Sequence, residues 1–127
     1  IFFDCLHHAE DERLALASAY RALKPGGLLM THEPGEGHST APGSLEAMKV
    51  YGVTERDMPP HLIIRHAEEL GFSTSRIFPM QHELIELFYR DPTPPLLSRK
   101  GRHRAKRLYK LAFKPSNRAS SLVVCVK

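Results

Sequence analysis

The stretch from Leu23 to His38 constrains this chain more than any other; it reads Leu-Lys-Pro-Gly-Gly-Leu-Leu-Met-Thr-His-Glu-Pro-Gly-Glu-Gly-His. Pro25 cannot continue a helix, and Gly26 and Gly27 supply the positive-φ backbone that ends one and reverses the chain. A helix must therefore stop near Leu23. Leu28 to Met30 then form an apolar run of strand length, followed by the polar Thr31, His32 and Glu33. Open α/β sheets bind their ligands beyond the carboxyl ends of strands. A buried strand tipped with His and Glu therefore marks a candidate site.

Around this hub the chain alternates between helical and strand patterns. Ile1 to Leu6 is mostly apolar and reads as a strand that starts without a turn or cap. Carboxylates at Glu10, Asp11 and Glu12 suit the positive end of a helix dipole, and Leu16, Ala19, Tyr20 and Leu23 recur at helical spacing, so a helix is expected from Asp11 to Leu23. Ser44 is a candidate cap for a short helix running to Tyr51 and stopped by Gly52. Asp57 and Pro59-Pro60 signal the start of another, with Ile63, Ala67 and Leu70 as its buried stripe and Gly71 as its stop. Phe72 to Phe78 reads as a strand. Met80 to Tyr89 fits either helix or strand, and Asp91 to Pro95 is a loop. A basic helix is expected over Ser98 to Phe113, its apolar face formed by Gly101, Ala105, Leu108 and Ala112. The β-branched run Ala119 to Val126 reads as a final, central strand.

The opening Ile-Phe-Phe-Asp-Cys-Leu-His-His, the acidic-capped helix, Leu23-Lys-Pro-Gly-Gly27 and Glu33-Pro34 together resemble the second half of a class I S-adenosylmethionine-dependent methyltransferase. The resemblance covers residues 1 to 79 and the last strand. It implies an α/β fold: a partial Rossmann-like methyltransferase sheet whose last strand is antiparallel and inserted beside the hub strand. Core segments 1–79 and 119–127 would then flank an insertion, 80–118, carrying the basic helix. It also implies a fragment, because the family's glycine-rich cofactor loop and ribose-binding carboxylate would lie upstream of Ile1. S-adenosylmethionine is the implied cofactor, with Phe2, Phe3 and Asp4 at positions that border it, the two phenylalanines being core residues in any fold. On this strand order Cys5 and Cys125 flank the hub strand on opposite sides, at least ~10 Å apart and beyond disulfide reach.

Composition bears on partners and excludes several classes. The chain has 127 residues, 42% hydrophobic and 25% charged, enough for one domain or most of one. No apolar run approaches the ~20 residues that span a bilayer. Two cysteines make no disulfide framework, and both lie in apolar runs that read as buried. Of the 18 Lys and Arg, ten lie from Arg99 onward with no carboxylate among them, while residues 1–98 hold all 14 acids. An acidic body carrying a basic segment points to an anionic partner. With no bilayer-length apolar run and no leader-like N-terminus, a cytoplasmic protein is expected, and the basic segment would add contact with an anionic membrane surface; nucleic acid is the least supported partner, because Tyr109 is the segment's one interleaved aromatic short of its end.

His38 follows a Gly-x-Gly loop at the tip of the hub strand, where an imidazole could take a proton from an acceptor hydroxyl. Glu33 could orient that imidazole or take the proton itself, and His8, at the end of the first strand, is the third catalytic candidate. His7 reads better as a loop histidine capping the next helix. His32 and Glu33 alternate, so they face opposite sides of the sheet. No His-x-x-x-His or Cys-x-x-Cys spacing occurs, so no metal site is read from the sequence. Gly-x-Ser-x-Gly is absent too, which removes a hydrolase elbow. The expected function is methyl transfer to an oxygen or nitrogen of a small-molecule or glycan acceptor. The rival is a non-catalytic module that binds an anionic partner through the basic helix.

Overall fold

A computed structural model describes residues 1–78, 94–114, 116 and 118–127. Among the described residues four strands form one sheet: β1 (Phe2–Phe3), β2 (Leu28–Glu33), β3 (Thr74–Phe78) and β4 (Ser121–Val126), in the order β1-β2-β4-β3. β1 runs parallel to β2, with Phe2 opposite Thr31. β4 is antiparallel to both neighbours, Glu33 facing Ser121 and Phe78 facing Leu122. The last strand thus sits between the hub strand and its predecessor, as the methyltransferase resemblance implies. Cys5 and Cys125 are both free thiols.

The helices follow from their signals. In α1 (Glu12–Ala22), Asp11 is the N-cap and accepts the Leu14 amide at 2.9 Å. Its far end meets the Pro-Gly-Gly turn, where Gly26 takes φ 76°. Lys127 Nζ donates to the carbonyls of Tyr20 and Leu23 at 2.7 and 2.8 Å, placing a cation on orphan acceptors at the negative end of the dipole. α2 spans Pro42–Tyr51 and α3 spans Pro60–Leu70, each ended by a left-handed glycine, Gly52 and Gly71. α4 spans Arg99–Phe113, with Ser98 accepting the Gly101 amide as its cap. Leu6, Leu16, Leu29, Met58, Ile63, Ala67, Phe72, Val123 and Cys125 form the core, with α3 across β4 and β3 and α1 packed against α3.

Several expectations shift. β1 is two residues long, not six: Asp4 adopts φ 47°, which breaks the extended backbone, and Leu6–His8 turn into a short 3-10 segment. Cys5 is consequently exposed rather than buried. Phe3 is 67% exposed and stacks on His32 with centroids 4.6 Å apart, so of the two phenylalanines only Phe2 packs on the core. Ser44 is not a cap, because α2 begins earlier, at Pro42. Neither does Asp57 start α3; Pro59 occupies the cap position. On α4 Gly101 and Leu108 face inward as expected, joined by Arg104, Arg107 and Leu111, whereas Ala105 and Ala112 are exposed. The expectations for Met80 to Tyr89 and for most of Asp91 to Pro95 lie outside the described residues.

Candidate functional site

At the carboxyl ends of the parallel pair β1 and β2, a chain of alternating carboxylates and imidazoles crosses from the core to the surface. It begins at Glu33, the last residue of β2, which is 1% exposed. Alternation along the strand turns it under the 3-10 segment, where its carboxylate accepts the backbone amides of Cys5, Leu6 and His7 at 3.3, 3.0 and 3.2 Å. The kink at Asp4 makes this possible, because it turns three successive N–H groups towards the same acceptor. Glu33 also pairs with His7 Nδ1 at 2.7 Å. Each bond to an ionised oxygen is charge-assisted, and together they offset the cost of burying the carboxylate.

His7, read as the less functional member of its pair, is in fact central. With Nδ1 donating to Glu33, its Nε2 is turned outward, 3.6 Å from Glu55 Oε2. Glu55 Oε2 also accepts a hydrogen bond from His38 Nε2 at 2.7 Å, and Ser44 Oγ stands 3.5 Å from the same nitrogen. His8 donates Nδ1–H to the Thr54 carbonyl at 2.6 Å, which fixes its tautomer, while Glu55 Oε1 lies 3.8 Å from that nitrogen. The His7 ring centroid is 3.9 Å from that of His8 and 5.1 Å from that of His38. Of the sequence candidates, Glu33, His8 and His38 meet here. Phe2, Phe3 and Asp4 lie on β1 and just after it, with Phe3 and Asp4 directed to His32 on the opposite face of the sheet; Asp4 Oδ1 is 3.4 Å from His32 Nδ1.

Sequence reasoning missed Glu55 and the segment around it. Residues 54–58 form no helix or strand, yet each one ties the site together. Thr54 holds His8, Glu55 holds His38, Arg56 pairs with Glu12 at 2.7 Å, and Met58 donates its amide to the Pro34 carbonyl at 3.1 Å. Asp57 accepts the amides of Gly37 and Ser39, both at 2.8 Å, clasping the loop on either side of His38. The Ser39 and Gly37 hydrogen bonds hold the Asp57 carboxyl below the usual carboxylate range. The one sequence mark was Glu55-Arg56-Asp57, three charges just before Met58 in a segment with no helical pattern of its own. On the other side, Glu36 donates its amide to the Arg118 carbonyl at 2.8 Å, and Gly35 comes so near that backbone that a Cβ would collide with the Arg118 carbonyl and the Ser120 amide.

No protein-family model matches the sequence, and no curated protein matches it. Solved structures do. A phosphoethanolamine N-methyltransferase 2 from Haemonchus contortus, in complex with phosphomonomethylethanolamine and S-adenosylhomocysteine, superposes with a TM-score of 0.54 at 19% identity, covering 98% of this chain and 32% of the other. The same enzyme with S-adenosyl-L-methionine gives 0.50 at 19% identity, over 98% and 32%. A SAM-dependent methyltransferase from Archaeoglobus fulgidus gives 0.51 at 16% identity, over 99% and 57%. At these identities the likeness is one of fold: the mixed α/β sheet is that of SAM-dependent methyltransferases, and the chain spans about a third to somewhat over half of the proteins it matches.

Proposed function

We propose that this chain is part of an S-adenosylmethionine-dependent methyltransferase acting on a small-molecule acceptor. The observation that carries the reading is the placement of the Glu33–His7–Glu55–His38 chain at the carboxyl ends of β1 and β2, in a sheet whose solved counterparts are methyltransferases. S-adenosylmethionine, when bound, would supply an electrophilic sulfonium methyl for the acceptor's oxygen or nitrogen, with S-adenosylhomocysteine as the other product; the task left to this chain's residues is to receive the acceptor's proton. Proximity supplies most of the rate, and the base matters when the acceptor is a hydroxyl. His38 is suited to that role, since donating Nε2–H to Glu55 leaves the Nδ1 lone pair for the proton. Glu33 and His7 act as positioning residues beneath it, and His8 stands against His7, ring centroids 3.9 Å apart.

Transfer of a labelled methyl group by the full-length protein to a panel of small hydroxyl and amine acceptors tests this. His38→Ala should lower turnover by ~10²–10⁴-fold while leaving cofactor affinity nearly unchanged. Absence of both transfer and cofactor binding in the full-length protein would reject the enzyme reading. A second contact is supported by α4 and the turn before it: Lys100, Arg102, Lys106 and Lys110 are exposed beside exposed Leu96, Leu97, Tyr109 and Phe113, the pairing of cations and apolar groups that an anionic lipid surface attracts.

A further inference from the structure

We propose that His7, His38 and Glu55 form a binding site for a divalent ion of the zinc class. One ligand atom from each lies within 4.8 Å of the other two. Tetrahedral zinc with nitrogen and oxygen ligands at ~2.0–2.1 Å sets neighbouring donor atoms ~3.3 Å apart. The His7 Nε2–Glu55 Oε2 distance of 3.6 Å and the His38 Nε2–Glu55 Oε2 distance of 2.7 Å bracket that spacing, and the third pair lies within 4.8 Å, so modest side-chain rotations would bring the three donors round one ion.

The surroundings fit a metal ligand set better than a chance meeting of polar side chains. His7 is 4% exposed, and its Nδ1–H is committed to Glu33, which three backbone amides hold in place. A carboxylate behind a histidine fixes the tautomer and aims the other nitrogen at the metal. Nε2 of His7 thus presents a lone pair to the space that Glu55 Oε2 also faces. His8 is not a fourth ligand through Nδ1, which is bound to the Thr54 carbonyl; the fourth position is left for water. Two imidazoles and one carboxylate favour zinc over magnesium or calcium, which prefer oxygen.

Occupation takes His38 Nε2 away from Glu55 and leaves the ring proton on Nδ1. If the methyl-transfer reading holds, the loaded protein then lacks its base and zinc inhibits transfer; that consequence rests on the proposed function, whereas the binding site does not. Isothermal calorimetry of the chain with zinc, and visible absorption with cobalt as the probe of tetrahedral geometry, test the site. One saturable equivalent is expected, unaffected by excess magnesium. It should weaken ~100-fold or more in His38→Ala and in Glu55→Gln, beyond the 10–100-fold that loss of a supporting hydrogen-bond partner costs. Binding should be unchanged in His103→Ala, an exposed histidine on α4. His38 lies on a surface loop, so its variant keeps the test valid should Glu55→Gln disturb the fold. Absence of saturable binding, or binding that survives both substitutions, overturns the proposal. Zinc that binds as expected yet leaves transfer by the full-length protein unchanged would instead remove His38 as the base and keep the site.

Discussion

At the scale of single residues, Glu33 supports the site from beneath, because its carboxylate satisfies three amides and a histidine where no water reaches. Glu33→Gln keeps the shape but replaces one acceptor oxygen with a donor that faces other donors. Unfolding in urea should show a loss of about 3 kcal/mol, the scale of an uncompensated buried charge-assisted network. A loss within ~0.5 kcal/mol would mean the network is not formed. Asp57 works on the surface side of the same site. Its carboxyl is held below the usual range by the Ser39 and Gly37 amides, so its contribution is complete above the unfolded value of ~3.9 and is lost as pH falls through the lower folded value. Amide exchange or proteolysis of the 35–41 loop should therefore rise below about pH 4, and Asp57→Asn should show the same loosening at neutral pH. The cysteines separate just as cleanly. Burial pushes the Cys125 thiol up, while Cys5 is exposed, so native alkylation followed by mass spectrometry should modify Cys5 first and Cys125 only on unfolding.

Among the elements, the loops explain what the strands alone do not. The loop after β2 is pinned from two sides, by Asp57 and by the backbone of residues 118–120. Gly35 is the point of closest approach. Gly35→Ala should force these two backbones apart, costing about 1–3 kcal/mol as overpacking does and carrying His38 away from Glu55. Thermal unfolding checks the first effect and His38 ring chemical shifts the second; an unchanged melting temperature would mean the approach is looser than the geometry shows. In α4 the burial pattern explains why the expected apolar face was misjudged. Gly101 and Leu108 face inward as expected, but the alanines at 105 and 112 do not; their places are taken one step earlier by Arg104, which has a long stem to bury, and Leu111.

Over the whole molecule, charge is segregated: ten of the 18 basic side chains lie from Arg99 onward, and all 14 acids lie before it. Among the described residues no helix is long and apolar enough to cross a membrane. Contact with a lipid surface would therefore depend on attraction that salt screens over ~8 Å at physiological ionic strength. Co-sedimentation with anionic vesicles should fall as salt rises and should fall again when Lys100, Arg102, Lys106 and Lys110 are changed to glutamate. Arg104 and Arg107 are poor choices for this test, since both are half-buried and engaged within the chain. Equal sedimentation of the wild type and the reversed variant would leave α4 with a structural role alone.

The sequence by itself determined the α/β class, where the first three helices stop, and the order of helices and strands among the described residues. These depend on local chemistry: a proline without an amide donor, glycines that tolerate positive φ, an aspartate at an N-cap, and apolar residues at helical or strand spacing. It also marked Glu33, His8 and His38, because they follow strand ends. Only the tertiary structure decided that His7 and Glu55 belong with them. His7 and Glu33 are 26 residues apart, and His38 and Glu55 are 17 apart, so no short motif could join them. Their meeting depends on two long-range acts: the kink at Asp4 that lays three amides over Glu33, and the irregular segment 54–58 folding back across the strand ends. Backbone without periodicity leaves in the sequence at most a run of charges such as Glu55-Arg56-Asp57. Its course is set by the side-chain and backbone bonds it makes to distant partners, and those exist only once the chain has folded.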